Sequence, residues 1–243
     1  MKGIILAGGM GTRLYPLTKI MNKHLLPVGS EPMIYNPIRN MKACGITEIL
    51  IITSSLHMGD MVNLLGSGKE FGIDFTYKVQ DEAKGIADAL RLGERFAGED
   101  NILVLLGDNV FEKPVKYMVD NYIKKQRSKG ARVLLIEVDD PNRFGIAALD
   151  EKKVVEIQEK PQKPKSNYAV VGAYLYDSKV WDIIRKIKPS GRGEYEITSV
   201  NNGYIKTDQL EYDIVKGEWM DTGTFESYYQ ANKIMFEKQY KMK

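Results

Sequence analysis

One cysteine, Cys44, serves all 243 residues, so no disulfide can form within the chain and a reducing compartment suits it. Only two histidines, His24 and His57, stand beside it, which argues against a Cys/His zinc site. Long hydrophobic runs are missing as well. Nothing approaches the ~20 apolar residues of a membrane span, and no charged-then-apolar leader precedes the first apolar segment. The expectation is a cytoplasmic chain with no membrane partner. A strong charge of either sign is also absent. Lys and Arg number 35 against 32 Asp and Glu, and a net charge of +3 is too small to mark a nucleic-acid binder. The basic spots Lys124-Lys125, Lys241 and Lys243 read as solvated faces. Internal repeats, low-complexity tracts and long linkers are not found.

What is present is ordinary in bulk and particular in arrangement. Hydrophobic residues make up 43% and charged residues 28%, and the length allows a substantial core. Continuous apolar runs of strand type recur at 3–6, 49–53, 75–79, 102–106 and 133–138, alternating with helix-period segments at 32–43, 58–65, 86–96 and 115–127. Runs that are apolar without alternation predict strands covered on both faces. Pro32 suits the first turn of its helix and Gly45 the end. Beyond residue 139 the spacing predicts strands at 145–149, 154–159, 169–176 and 210–215, with helices at 181–188, 197–204 and 225–238. The predicted fold is α/β: a three-layer, mostly parallel (Rossmann-like) mixed sheet with helices on both faces. We expect one domain over 1–243, divided into halves of roughly 1–138 and 139–243.

The first strand runs into Gly8-Gly9-Met10-Gly11-Thr12-Arg13-Leu14, a loop nearly free of side chains. Glycine lets backbone N–H groups approach a ligand, and successive N–H groups form an anion-binding concavity. Arg13 adds a fixed fork of donors and Lys23 a mobile point charge. This is the composition of a polyphosphate site. It is not a dinucleotide fingerprint, because Leu14 stands where the third glycine of G-x-G-x-x-G belongs. Nor is it a Walker loop. The one Gly-Lys pair, Gly68-Lys69, has Asn63 where the first glycine should be and Glu70 where Ser or Thr should follow.

Two aspartates leave apolar segments in the same manner. Asp108 follows Leu105-Leu106-Gly107, and Asp221 follows Trp219-Met220 and precedes Thr222-Gly223-Thr224. Each reads either as a turn aspartate or as a Mg²⁺ ligand. Ligands of open α/β sheets bind beyond the carboxyl ends of the strands, which is where Asp108 and the glycine loop emerge. Glu159-Lys160 ends another strand ahead of a proline-rich turn, Arg192 lies between two glycines, and Gln80 and Gly85 lie between a strand and a helix. Taken singly, these are equally readable as surface and strand-end chemistry.

Arg13, Pro16, Lys23 and Pro27 arrive in register with the glycines. The motif G-G-x-G-T-R-L-x-P with a downstream K-x-L-L-P-V resembles the sugar-nucleotidyltransferase family, in particular its members that use thymidine nucleotides. L-G-D-N, E-K-P-x-x-P-K-S-N-Y-A-V-x-G, R-G-E-x-E-I-T and D-T-G-T follow in that family's order, so the resemblance spans essentially the whole chain. It implies nucleotide contacts from Leu6, Gly8, Gly9, Gly11, Thr12, Arg13, Lys23, Gln80, Gly85 and Asp108. It implies sugar-phosphate contacts from Asn109, Gly145, Glu159, Lys160, Val170 and Arg192, and Mg²⁺ ligation by Asp108 and Asp221. Arg13, Lys23 and Asp108 would be the catalytic set. The first half would bind nucleotide and the second half sugar phosphate. Phe144 replaces a frequent tyrosine, Ser199 a frequent aspartate and Glu31 a frequent lysine of such members. Longer members carry a C-terminal extension with oligomer contacts and a regulatory nucleotide site, whereas 19 residues follow Thr224 here (243 − 224), so the resemblance leaves feedback control and the family's tetramer open.

The implied substrates are dTTP and glucose 1-phosphate, with Mg²⁺ as cofactor, no nucleic-acid partner and a homo-oligomer left open. A phosphate monoester is mostly a dianion at neutral pH, its second pKa being about 6, and needs no general base to attack. The shortage of histidine and cysteine nucleophile sets fits such a reaction. A uridylyltransferase, another sugar specificity, or a non-catalytic regulatory module remain the competing readings. The last is disfavoured by the presence of Arg13, Lys23, Asp108 and Asp221 together.

Overall fold

The computed structural model describes residues 1–126 and 128–241. Arg127, the predicted end of the fourth helix, and Lys243 lie outside the described residues, as does the Lys241 side chain. Strand β1 (Lys2–Ala7) has five consecutive buried residues, Gly3 to Ala7. A two-residue ribbon, β2 (Pro27–Val28) with β3 (Glu31–Pro32), leads to α1 (Tyr35–Ala43), β4 (Glu48–Ser54), α2 (Met58–Leu65) and β5 (Asp74–Gln80). Then come α3 (Ile86–Arg91), α4 (Glu94–Ala97), β6 (Ile102–Leu106), β7 (Asn109–Phe111), α5 (Lys116–Gln126) and β8 (Ala131–Glu137). The remainder is β9 (Gly145–Asp150), β10 (Lys153–Glu159), β11 (Tyr168–Tyr176), α6 (Val180–Ile184), α7 (Ile197–Ile205), β12 (Leu210–Ile214), β13 (Trp219–Asp221) and α8 (Phe225–Lys241).

Among the described residues, nine strands make one sheet, with the path β10-β9-β11-β6-β1-β4-β5 and with β8 and β12 branching from β11. The pairings β6-β1, β1-β4, β4-β5 and β8-β12 are parallel, whereas β11 is antiparallel to β6, β8 and β9, and β10 to β9. Only β11 and β10 therefore run against the rest, which is the mixed, mostly parallel sheet the sequence predicts. Both faces are covered, and the apolar strands alternate between them. Ile4 and Leu6 join Leu90, Trp181 and Tyr204 in one core, while Ile5 and Ala7 join Ile38, Met61 and Tyr122 in the other. No helix among the described residues is long and apolar enough to cross a membrane.

Two features of this sheet create the site. The chain moves outward from β1 to β4 and β5, then returns to the opposite side of β1 as β6. Strands β1 and β6 therefore flank a topological switch point, beyond whose carboxyl end a crevice opens. The second feature is a fork in β11. Its Ala173–Tyr176 segment pairs with β6, while Ala169 and Val170 pair with β9 on the same edge. At the fork sits Gly172, where an added Cβ would lie 2.6 Å from Asn109 Cγ.

The structure departs from expectation in short segments. Pro32 belongs to the β2–β3 ribbon instead of a helix, and α1 begins at Tyr35. The single helix expected over 86–96 is two. It breaks at Gly93, where a Cβ would lie 2.6 Å from Ile4 Cδ1, so the bend lets the helical layer settle on β1. The helix expected over 181–188 is the shorter α6. The β7–β13 ribbon was not expected, three residues being too few to display a period.

Candidate active site

Beyond β1, Gly11 adopts φ +62°, and its carbonyl accepts from Leu14 N–H (2.8 Å) and Thr18 Oγ1 (2.7 Å). The loop is thereby pinned from inside, while the backbone N–H groups of Gly9, Met10 and Gly11 find no acceptor among the described residues. Free N–H groups on a tight loop are the donor set that an anion takes.

A cavity of about 250 Å³ opens from this loop, lined by Leu6, Gly8, Gly9, Lys23, Gln80, Gly85 and Asp108 among others. Of its glycines, Gly85 is required by the Tyr195 backbone, Gly8 meets only a side-chain end, and Gly9 has open space around it. A Cβ on Gly8 would lie 2.7 Å from Gln80 Oε1, and Gly85, at φ +106°, would place one 2.6 Å from Tyr195 O. The buried His24 also lines the wall. Burial first, then the nearby Lys23 charge, pushes its imidazole down to about 3 and keeps it neutral despite Asp108.

A second cavity of about 210 Å³ lies at the β11 fork, lined by Arg13, Asn109, Gly145, Glu159, Lys160, Val170, Arg192 and Asp221 among others. Asp108, Leu106, Ile86 and Glu194 line both cavities, so the two meet at the end of β6. Asp108 is the charged group at that junction on the strand end. Lys23 Nζ donates to its Oδ2, and Asn109 Nδ2 to its Oδ1 at 2.8 Å. Burial opposes ionisation of Asp108, but Lys23, His24 and these hydrogen bonds hold the carboxyl well below the usual range. Asp221 is brought alongside by the β7–β13 ribbon and by Thr222, whose N–H and Oγ1 both donate to Asp108 O (3.2 and 2.8 Å). Burial and then the Asp108 charge push the Asp221 carboxyl upward, against Lys23, Arg143 and Arg13.

Two neighbouring, mutually repelling carboxylates are hard-oxygen donors that a divalent cation would reconcile. No group of three or more His, Cys, Asp or Glu suited to a metal exists among the described residues. A cation held by one or two carboxylates that completes its shell with phosphate and water matches Mg²⁺ better than a zinc centre.

Of the predicted residues, Gly11 and Thr12 support the glycine loop without lining either cavity, and Arg13 faces the second cavity instead of the first. Arg13 and Lys160 have no ion pair among the described residues, in contrast to Lys23. Asn109 is engaged by protein, its Oδ1 accepting from Gly172 N–H (3.1 Å) and Trp219 Nε1 (2.8 Å). The sequence reading passed over Arg143, paired with Asp221 at 3.2 Å, and over Glu194, Glu196, Thr198 and Trp219. The run R-G-E-x-E-I-T carried three of these, but only its arginine was singled out.

A parallel-strand switch point with a free N–H loop, meeting at Asp108 a second cavity that carries Arg13, Arg143, Lys160 and Arg192 among five carboxylates, defines a nucleotide-dependent transferase. Residues 2–238 match the nucleotidyl transferase family, and the chain belongs to it. A glucose-1-phosphate thymidylyltransferase of Neisseria meningitidis is 44% identical over 95% of this chain and 81% of its own. A crystal structure of a candidate glucose-1-phosphate thymidylyltransferase from Bacillus anthracis, in complex with sucrose, superposes with TM-score 0.92 at 54% identity, covering 98% and 96% of the two chains. A UDP-glucose pyrophosphorylase complexed with UDP-glucose superposes at 0.84 with 27% identity, covering 98% of each.

Proposed function

We propose that this enzyme transfers the thymidylyl group of dTTP to glucose 1-phosphate, forming dTDP-glucose and pyrophosphate for nucleotide-sugar synthesis. The observation that carries the reading is Asp108, the ion-paired carboxylate beyond the end of β6 that lines both the loop cavity and the second cavity. The thymine edge lies against Gln80 and over Gly85, whose missing side chain leaves flat space, and Leu6 packs beside it. Gly8, Gly9 and Gly11 present N–H groups to the phosphates, with Thr12 holding the turn, while Lys23 and Arg13 screen the triphosphate. Glu159 takes sugar hydroxyls, with Gly145, Val170 and Asn109 forming the wall, and Lys160 and Arg192 hold the sugar phosphate.

A phosphate oxygen of glucose 1-phosphate attacks the α-phosphorus, the α–β bridging P–O bond breaks, and its electron pair leaves with pyrophosphate. No proton must be moved, because the nucleophile is already mostly a dianion. The protein's contribution is to bring two anions together in line and to neutralise developing charge. Asp108 and Asp221 would hold Mg²⁺, whose charge would be supplied to the triphosphate when bound. The two halves, 1–138 and 139–243, would serve nucleotide and sugar phosphate within one domain, in the cytoplasm.

Pyrophosphate release is measured with Mg²⁺ and glucose 1-phosphate and, separately, dTTP, UTP, CTP, GTP and ATP. Release with dTTP and a dTDP-glucose product is expected. Preference for UTP would support the uridylyl reading that the UDP-glucose-bound relative invites, since one methyl group is worth only ~1–3 kcal/mol of discrimination. Silence with all five would overturn the reading.

A further inference from the structure

The segment Pro189–Glu194 contributes Glu194 to both cavities and Arg192 to the second, and it is closed on itself. Ser190 N–H donates to Glu194 O (2.8 Å), and Gly193 N–H returns to Ser190 O (2.9 Å) with Gly193 at φ +77°. Its tip residues Gly191, Arg192 and Gly193 are exposed, and nothing packs within 4 Å of where a Cβ on either glycine would sit. Such a flap has no apolar anchor of its own. Its base is tied at Tyr195, whose N–H donates to Lys84 O (2.8 Å) and whose carbonyl accepts from Ala87 N–H (3.0 Å).

The polar anchor is Glu196. It stands at the N-cap of α7, yet its side chain makes no cap hydrogen bond. Its carboxylate, on a residue only 7% exposed, reaches out to the flap instead. Oε1 accepts from Ser190 Oγ at 2.8 Å and pairs with Arg192 Nη2 at 3.0 Å. Ser190 Oγ in turn accepts from Arg192 N–H at 3.2 Å. Glu194 (3.0 Å) and Glu159 (4.0 Å) flank the same guanidinium. A buried carboxylate must be paired, and here its charged partner sits at the exposed tip of a loop tied at its base.

We propose that Glu196 is a positioning residue: through Arg192 and Ser190 it latches the 189–194 flap over the sugar-phosphate cavity and holds the Arg192 guanidinium facing it. Arg192 then stands already aimed when the dianion arrives, so less side-chain freedom is lost on binding. Glu194, which lines both cavities, is carried into place by the same closure.

The kinetic part of this inference rests on the glucose 1-phosphate reading, so the test has an arm that does not. Glu196→Gln keeps an acceptor for Ser190 and removes the charge; Ser190→Ala leaves the charge and removes the hydroxyl. In the first arm, tryptic cleavage after Arg192 in the folded protein is followed by mass spectrometry. Both variants should cleave there several-fold faster than wild type, and wild-type rates in both would overturn the latch. In the second arm, Glu196→Gln should raise KM for glucose 1-phosphate by about tenfold, the scale of one charge-assisted hydrogen bond, while KM for dTTP stays within twofold. The double variant Glu196→Gln/Arg192→Ala should be no worse than Arg192→Ala alone. Losses that multiply, or that fall equally on both substrates, would assign Glu196 a merely structural role and overturn the proposal. If wild type does not turn over glucose 1-phosphate, the substrate reading falls and the cleavage arm alone decides the latch.

Discussion

Lys23 and Asp108, 85 residues apart in the chain, form an ion pair at the junction of the two cavities. Both are pinned by neighbours: Lys23 begins a short turn capped by Asn22, and Asp108 follows β6 with Asn109 on its second oxygen. The pair fixes a cation against the glycine-loop cavity and a carboxylate on the wall of both cavities, the placement the proposed phosphate and metal roles require.

Removing Arg13 should separate activity from folding, whereas removing Lys23 should touch both. Arg13 is exposed and makes no ion pair, so Arg13→Ala should leave the thermal midpoint unchanged while kcat falls ~100-fold or more, the scale of losing one preorganised donor. Lys23→Ala should lower kcat similarly and also lower the midpoint, because it strips Asp108 of its partner. Steady-state kinetics and calorimetry on both variants check this.

Gly172→Ala tests whether the β11 fork orients Asp108 beyond the end of β6. The added methyl would sit 2.6 Å from Asn109 Oδ1 and displace the amide that holds Asp108. We expect a fall in kcat well beyond the effect on the thermal midpoint, with the circular dichroism spectrum unchanged. A variant with normal turnover would show that Asn109 does not govern Asp108.

Metal removal should abolish turnover, and Mg²⁺ should restore it. Asp221→Asn should raise the Mg²⁺ concentration needed for half-maximal activity at least tenfold. It should also relieve the repulsion that pushes the Asp221 carboxyl upward, and so should not destabilise the apoprotein. Melting curves with and without Mg²⁺ separate the two effects.

Cys44 gives a pH prediction remote from the site. Burial, with Asp120 adding and Lys116 opposing, pushes its thiol up to about 12. An unfolded thiol ionises at about 8.5. The folded state therefore favours the neutral form, and above that value the unfolded chain releases a proton that the native chain keeps. This contribution to stability is complete below pH ~8.5 and declines as pH rises toward 12. Native protein at pH 8 should react with a thiolate-selective reagent orders of magnitude more slowly than urea-unfolded protein. Equal rates would contradict the burial argument.

The elements most legible in the sequence were those with long, one-note patterns. β1, β4 and β6 read as strands because each is apolar throughout, and the glycine loop with Arg13 and Lys23 read as an anion site because glycine and fixed cations have few other uses together. The helix break at Gly93 was hidden, since it lies against the Ile4 side chain that rises from β1 beneath it, far away in the sequence. Arg143, Glu196 and Trp219 were hidden for a related reason. Each acquires its role only when a fork, a helix N-terminus or a three-residue ribbon brings it to Asp221, Arg192 or Asn109. Local spacing cannot carry that information.

The central claim is direct attack by the sugar phosphate at the α-phosphorus, with no protein nucleophile in between. The most direct measurement is the stereochemical course with dTTP carrying a single sulfur of defined configuration at the α-phosphorus. One in-line displacement between the two cavities predicts inversion in the dTDP-glucose product. Retention would require two displacements through a nucleotidyl-enzyme and would contradict the account.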